Sequence, residues 1–271
     1  MKIEVPKFSI VIANYNSDLM LEECLTSVFT QTFSDYEIII CDGGSTDNSL
    51  GIIKKYADRL SWWCSEKDKG QSDAFNKGFS HASGEFLFWL NADDLLMPNA
   101  LQNAAEYLES HPSCKWLTFN TLFVDINRKV LFANNGISWY GFLIKHLGPQ
   151  VDAPTSIFHR ELFEKSQKFD LNLYYAMDID LWMQFIKLGY KYKRLRSYFY
   201  VFRIHSGSKT ASEGFTKHTK NQEKIRQGIY IREKNGFVFD DRWEFVSKII
   251  KIFTCKPKSL IDSYRLKGRK I

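Results

Sequence analysis

A chain of 271 residues, 44% hydrophobic and 15% aromatic, can bury a sizeable core as one large α/β domain or as a domain with an appendage, and it is too apolar for disorder. Its net charge of +6 is concentrated at one end, where residues 246–271 carry eight Lys/Arg against the single acid Asp262. The near-neutral remainder argues against a nucleic-acid-binding body, which would spread basic residues over a domain face, and no apolar run reaches the roughly 18–20 residues of a membrane span.

Met1-Lys-Ile-Glu-Val-Pro6 runs straight into a strand, so no signal peptide is expected. The first ~110 residues then alternate strand and helix with short connections, the pattern of a mostly parallel sheet. Phe8 to Ala13 reads as a strand, and Leu21, Cys24, Leu25 and Val28 recur at helical spacing after it. Tyr36 to Cys41 is the second strand, followed by the turn Asp42-Gly-Gly-Ser-Thr-Asp47 and a helix marked by Leu50, Ile53 and Tyr56. Leu60 to Cys64 is the third strand, and a polar loop leads from it into a helix around Ala74 to Phe79. Phe86 to Leu90 is a buried strand, and Pro98, pre-set for a first helical turn, opens the next helix.

After Pro112 the rhythm changes. Lys115 to Asp125 and Lys129 to Ala133 read as paired strands, Asp178 to Leu188 as a helix closed by Gly189, and Tyr192 to Ile204 as a strand. The expected organisation is a body over residues 1–215, divided into halves at 1–112 and 113–215, and a helical basic tail over 216–271. The tail interleaves its charge with Ile249, Ile250, Ile252, Phe253, Leu260, Ile261 and Tyr264. It can lie on an anionic membrane surface or pack one face on the body. The five cysteines are odd in number and widely spaced, which fits reduced thiols of a cytoplasmic protein better than a disulfide framework or a zinc site.

Asn91-Ala-Asp-Asp94 places two like charges directly after an apolar strand, although each raises the other's pKa. Asn14-Tyr-Asn16 and Asp42-Gly-Gly-Ser-Thr-Asp47 fall at the same carboxyl edge, where open α/β sheets bind ligands. Such residues also serve simply as turns and caps, and Asp47 alone reads as an N-cap. Three clusters on one edge favour a binding crevice. Neither a P-loop nor a G-x-G-x-x-G is present, so a divalent cation held by Asp93 and Asp94 is the economical way to neutralise phosphates there.

Together these segments resemble the family 2 glycosyltransferases, inverting enzymes of the GT-A fold that use nucleotide-diphosphate sugars. The matching pieces are Phe8 to Asn16, Ser27 to Phe33, Asp42 to Asp47, Asp68 to Gly78, Ala82 to Glu85, Asn91 to Asp94, Asp178 to Trp182 and Arg203 to Ser208, in the family's order across residues 8–208. The resemblance implies a Rossmann-like, mixed, mostly parallel sheet flanked by helices, with a C-terminal helical tail. It implies a nucleotide-sugar site at Ala13, Tyr15, Asp42, Asp73 and Asp93. It further implies a divalent metal (Mn²⁺ or Mg²⁺) held by Asp94 with His205 closing over the metal or the diphosphate, and Asp178 as general base. A surface histidine in a Gly/Ser loop is the plainer reading of His205. The spacing of Asp178 and Asp180 at a helix start cannot decide which is the base. Two positions depart from the family pattern: Gly43 stands where a second Asp is common, and Asn91 where the first Asp of the acidic motif is common.

Transfer from a nucleotide sugar needs the leaving diphosphate stabilised and the acceptor hydroxyl deprotonated, and a metal and a carboxylate answer those needs. One base opposite the leaving group gives inversion. The expected reaction is hexosyl transfer, with UDP as the commonest donor nucleotide, to a glycan or lipid-linked acceptor in bacterial surface polysaccharide assembly. The expected place is the inner face of the membrane, with peripheral contact through the basic tail. A sugar-phosphate nucleotidyltransferase would need a Gly-rich loop with a basic residue after the first strand, which Ala13-Asn-Tyr-Asn-Ser17 lacks. A non-catalytic sugar-binding homologue is hard to square with Asp94, Asp178 and His205 together. Trp139, Tyr140, Phe142, Tyr174 and Tyr175 are candidates to stack on acceptor sugars, though such density of aromatics more often fills a core.

Overall fold

The computed structural model describes residues 5–136, 138, 139, 144, 149, 151, 154–208, 222–237 and 256–271. Strand β1 (Phe8–Asn14) leads to helix α1 (Asp18–Phe29), β2 (Tyr36–Asp42) to α2 (Ser49–Lys55), and β3 (Trp62–Ser65) to α3 (Gln71–His81). β4 (Phe86–Asn91) and the short β5 (Leu95–Leu96) precede α4 (Ala100–Ser110). Then come β6 (Trp116–Val124), β7 (Val130–Asn134), β8 (Ser156–His159), α5 (Arg160–Lys165), α6 (Met177–Lys187) and β9 (Lys193–Arg203). Two helices follow, α7 (Gln222–Asn235) and α8 (Lys256–Leu266).

One sheet joins the strands in the order β3-β2-β1-β4-β8-β6-β9-β5, with β7 on β6. β3, β2, β1 and β4 are parallel, as helical crossovers require, and pairing turns antiparallel where β8 joins β4 and β6. The parallel register lines up Ser65, Asp42 and Asn14 across β3, β2 and β1, and pairs Ala13 with Asn91. The three polar clusters therefore share one edge because each ends its strand at the same level.

Alternation along the strands builds two cores. Phe8, Ile10, Ile12, Phe86, Phe88 and Leu90 face α1 and α4, while Val11, Leu87 and Trp89 face α3 and α6. In the second core Trp89 stacks on Trp182 with ring centroids 5.2 Å apart. Gly78 lets α3 lie on the sheet, since a Cβ there would stand 2.2 Å from Val11 Cγ1.

Several boundaries differ from the sequence reading. α4 begins at Ala100, because Asn99 adopts a left-handed conformation (φ 60°) at its cap and leaves Pro98 in the preceding turn. β3 begins at Trp62, because a 3₁₀ turn over Ala57–Arg59 takes up the approach. β5, β8 and α5 are too short for periodicity to reveal.

The expected tail boundary near 215 lies outside the described residues. α7 packs on α6, with Ile231 buried. α8 lies along β7, where the amides of Ala133 and Asn135 donate to Ser263 Oγ at 2.9 Å and Ser259 Oγ at 3.0 Å. The chain end then covers the β7 edge, with the Val130 amide donating to the Arg269 carbonyl at 2.9 Å. No described helix is long and apolar enough to cross a membrane. The four described cysteines, Cys24, Cys41, Cys64 and Cys114, are unbridged, and Cys255 lies outside the described residues.

Candidate functional site

At the end of β2, Asp42 is 1% exposed. Its carboxylate accepts from Asn14 Nδ2 at 2.7 Å, Ser65 Oγ at 2.6 Å, the Ser45 amide at 3.0 Å and the Ser45 hydroxyl. Burial pushes its pKa up, but hydrogen bonds from Ser45, Ser65 and Asn14 outweigh that and hold the carboxyl below the usual range. The charge organises the turn after β2. Tyr15 stands 65% exposed beside it, and Ala13 is the last residue but one of the neighbouring strand. Gly43 has a spatial reason: a Cβ there would meet Asp68 Oδ2 at 2.8 Å, so the Asp68 carboxylate fills the space a side chain at 43 would take. Asp73 sits in the first turn of α3 and accepts from the Lys69 amide at 3.0 Å.

The adjacent acids after β4 diverge. Asp94 turns inward, 1% exposed, and accepts from Tyr200 Oη at 2.6 Å, Asn91 Nδ2 at 2.9 Å and the Arg203 amide at 2.8 Å. Burial, reinforced by the neighbouring Asp93 charge, pushes its pKa well up against those three donors. Asp93 turns outward, its side chain 24% exposed, and its Oδ2 lies 3.0 Å from His205 Nε2. The metal pair expected from the resemblance, Asp94 with His205, is not the pair that meets. His205 meets Asp93, because Tyr200 and Arg203 on β9 draw Asp94 into the sheet. Among the described residues no three of His, Cys, Asp and Glu gather to hold a metal by themselves. Asp93 Oδ2 and His205 Nε2 form a hydrogen-bonded oxygen–nitrogen pair, both side chains partly exposed.

Asn91 links this side to α3, accepting from Gln71 Nε2 at 2.8 Å while donating to Asp94. Arg203, 2% exposed, reaches Glu23 on α1 at 2.8 Å. Sequence reading gave Gln71, Tyr200 and Arg203 no role as partners, although Gln71 and Arg203 stand in segments that carry the family resemblance and Asn91 is a departure from its pattern.

α6 opens with Asp178 and Asp180 in one turn, and packing separates them. Asp180 is fully buried and accepts from Gln184 Nε2 at 2.7 Å, Asn235 Nδ2 at 2.9 Å and Lys234 Nζ at 3.0 Å. Asp178 remains partly exposed. The first turns of α3 and α6 touch, with Ser72 Oγ donating to Met177 Sδ at 3.1 Å, so the helix starts that carry Asp73 and Asp178 adjoin. Lys234 also bridges to Asp170 at 2.9 Å. Lys234→Met, which leaves both aspartates without that cation, is expected to cost about 3 kcal/mol. The measure is the urea midpoint at constant slope; an unmoved midpoint would mean that Asn235 and Gln184 suffice.

Of the acceptor aromatics, Trp139 packs edge-on against Tyr192 at 5.2 Å and belongs with the core, whereas Tyr174 is 59% exposed and meets Tyr175 at 4.7 Å. Tyr140 and Phe142 lie outside the described residues.

A family model described as glycosyl transferase family 2 matches residues 9–165. That span includes Asp42, Asp73, Asp93 and Asp94 and stops short of Asp178 and His205. The GalNAc(5)-diNAcBac-PP-undecaprenol beta-1,3-glucosyltransferase of Campylobacter jejuni is 29% identical over 220 residues, covering 77% of this chain and 69% of its own. The structure of S. aureus TarS 1-349 superposes with a TM-score of 0.60 at 25% identity, over 73% of this chain and 60% of that one. TarS has also been solved with UDP-GlcNAc. The mannosyltransferase PcManGT from Pyrobaculum calidifontis, in complex with GDP-Man and Mn²⁺, shares the fold at a TM-score of 0.56 and 19% identity, over 73% of this chain and 57% of its own. The curled mixed sheet with flanking helices is the GT-A arrangement seen in TarS.

Proposed function

The chain belongs to glycosyl transferase family 2 and is a glycosyltransferase; from that premise we propose that it transfers a hexosyl residue, with inversion, from a nucleoside-diphosphate sugar to a hydroxyl of a glycan or lipid-linked acceptor. A UDP-sugar is the simplest donor, and bacterial cell-surface polysaccharide assembly the setting. TarS bound to UDP-GlcNAc supports the donor class, and the PP-undecaprenol in the name of the C. jejuni relative supports a lipid-linked acceptor.

On this reading Ala13, Tyr15, Asp42 and Asp73 border the nucleotide, with Asp42 holding its turn through Ser45 and Ser65. Asp93 and His205 would face the diphosphate and hold a divalent cation, and Asp94, clamped by Tyr200 and the Arg203 amide, fixes the loop that presents Asp93. The carboxylate oxygen suits Mn²⁺ or Mg²⁺, and the imidazole nitrogen 3.0 Å from it inclines the pair toward Mn²⁺. Such an ion, when bound, stabilises the charge that develops on the leaving diphosphate. Asp178 takes the proton of the acceptor hydroxyl. Asp180, held by Lys234 and Asn235, fixes the helix that carries it.

The observation that carries the reading is the Asp93–His205 pair at the carboxyl edge of the parallel strands, with the buried Asp94 behind it. A panel of nucleotide sugars, assayed with and without Mn²⁺, tests it. One donor should be hydrolysed slowly without acceptor, with the activity lost on chelation and restored by Mn²⁺. Turnover of no donor, or turnover indifferent to chelation, would sink the assignment.

A further inference from the structure

We propose that the outward face of α8 docks the enzyme on an anionic phospholipid surface. The proposal deepens the lipid-linked-acceptor reading and rests on it for its biological setting. Ser259, Asp262, Ser263 and Leu266, spaced i, i+3, i+4, i+7, form one face of the helix. The two serines accept from β7 and its end, Asp262 accepts from Tyr198 Oη at 2.7 Å, and Leu266 packs beside Leu95, Val124, Val130 and Val201. The opposite face carries Leu260, Ile261 and Tyr264, exposed by 67%, 50% and 88%.

A solvated surface helix puts charge there. One exposed leucine is ordinary, but three large apolar side chains on one arc are not. Exposed Arg265 and Lys267 flank them along the chain, exposed Arg269 and Lys270 follow the helix end, and the only acid of α8, Asp262, is turned to the body. That is the composition of a helix lying in a lipid interface. Charge selects the occupant: a second copy would set cations against cations, whereas an anionic headgroup layer neutralises them and admits the apolar arc. Leu266 and Ile271 pack with Leu95 and Val201, on the strands next to Asp94 and its partners, so docking also fixes the tilt of the crevice over the lipid.

The test uses the full chain with vesicles of phosphatidylcholine alone or mixed with phosphatidylglycerol. The parent should sediment with the mixed vesicles and only weakly with the neutral ones. One variant combines Leu260→Ser, Ile261→Ser and Tyr264→Ser; a second combines Arg265→Gln, Lys267→Gln, Arg269→Gln and Lys270→Gln. Each should partition on the order of 10- to 100-fold less, with melting temperature and donor hydrolysis unchanged. Equal binding by the variants, or no binding by the parent, overturns the proposal. So does a parent dimer that the apolar variant dissolves, since a second copy would then own the face. Vesicle binding by a chain that turns over no nucleotide sugar keeps the docking face and sinks the transferase reading; turnover without vesicle binding does the reverse.

Discussion

Asp178→Asn is expected to lower kcat on the order of 10²–10⁴-fold, the worth of a positioned acid–base group, with donor affinity little changed. A base acts only in the transition state, so its loss appears in turnover and not in ground-state binding. Packing supports that division of labour: Asp178 stays partly exposed in the first turn of α6, while both oxygens of Asp180 are taken by Gln184, Asn235 and Lys234. Titration calorimetry of the donor and steady-state kinetics separate the two quantities. An active Asp178→Asn beside a folded but inactive Asp180→Asn would reverse the assignment.

Asp93→Asn is expected to weaken Mn²⁺-dependent nucleotide binding on the order of a hundredfold, about 2.8 kcal/mol, while leaving the melting temperature alone. Its side chain is partly exposed and among the described residues it pairs with His205, so little packing is lost. Asp94→Asn should behave oppositely. An amide NH₂ would then face Tyr200 Oη and Asn91 Nδ2, or the Arg203 amide, where an acceptor is needed. A buried mismatch of that kind costs about 1–3 kcal/mol, which calorimetric melting would register. If Asp94→Asn loses the metal without a change in melting and Asp93→Asn binds like the parent, the roles are exchanged.

The parallel half of the fold was legible because each strand there is a continuous apolar run closed by a polar turn, and Asp42 and Asn91 end theirs at one level. β8 escaped because four residues, Ser156 to His159, are too few to show a period, yet they supply the strand between β4 and β6. The candidate site was legible as a set of residues and not as a set of directions. Nothing in Asn91-Ala-Asp-Asp94 says which acid turns inward; Tyr200 and Arg203, more than a hundred positions later, decide it. The same holds at α6, where the fate of Asp180 is written in Lys234 and Asn235. The basic tail offered a packed helix and a membrane helix as alternatives; α8 packs one face on β7 and leaves Leu260, Ile261 and Tyr264 exposed on the other.

The clamp on Asp180 has a consequence for the timing of synthesis. The segment matched by the family model ends at residue 165 and emerges first, whereas Lys234 is made later than Asp180. At about 5–20 residues per second that interval lasts roughly 3–10 s. Throughout that interval α6 carries Asp178 and Asp180 without the cation that Lys234 later supplies. A message cut short before residue 234 would leave Asp180 with Gln184 beside it but without Lys234 and Asn235.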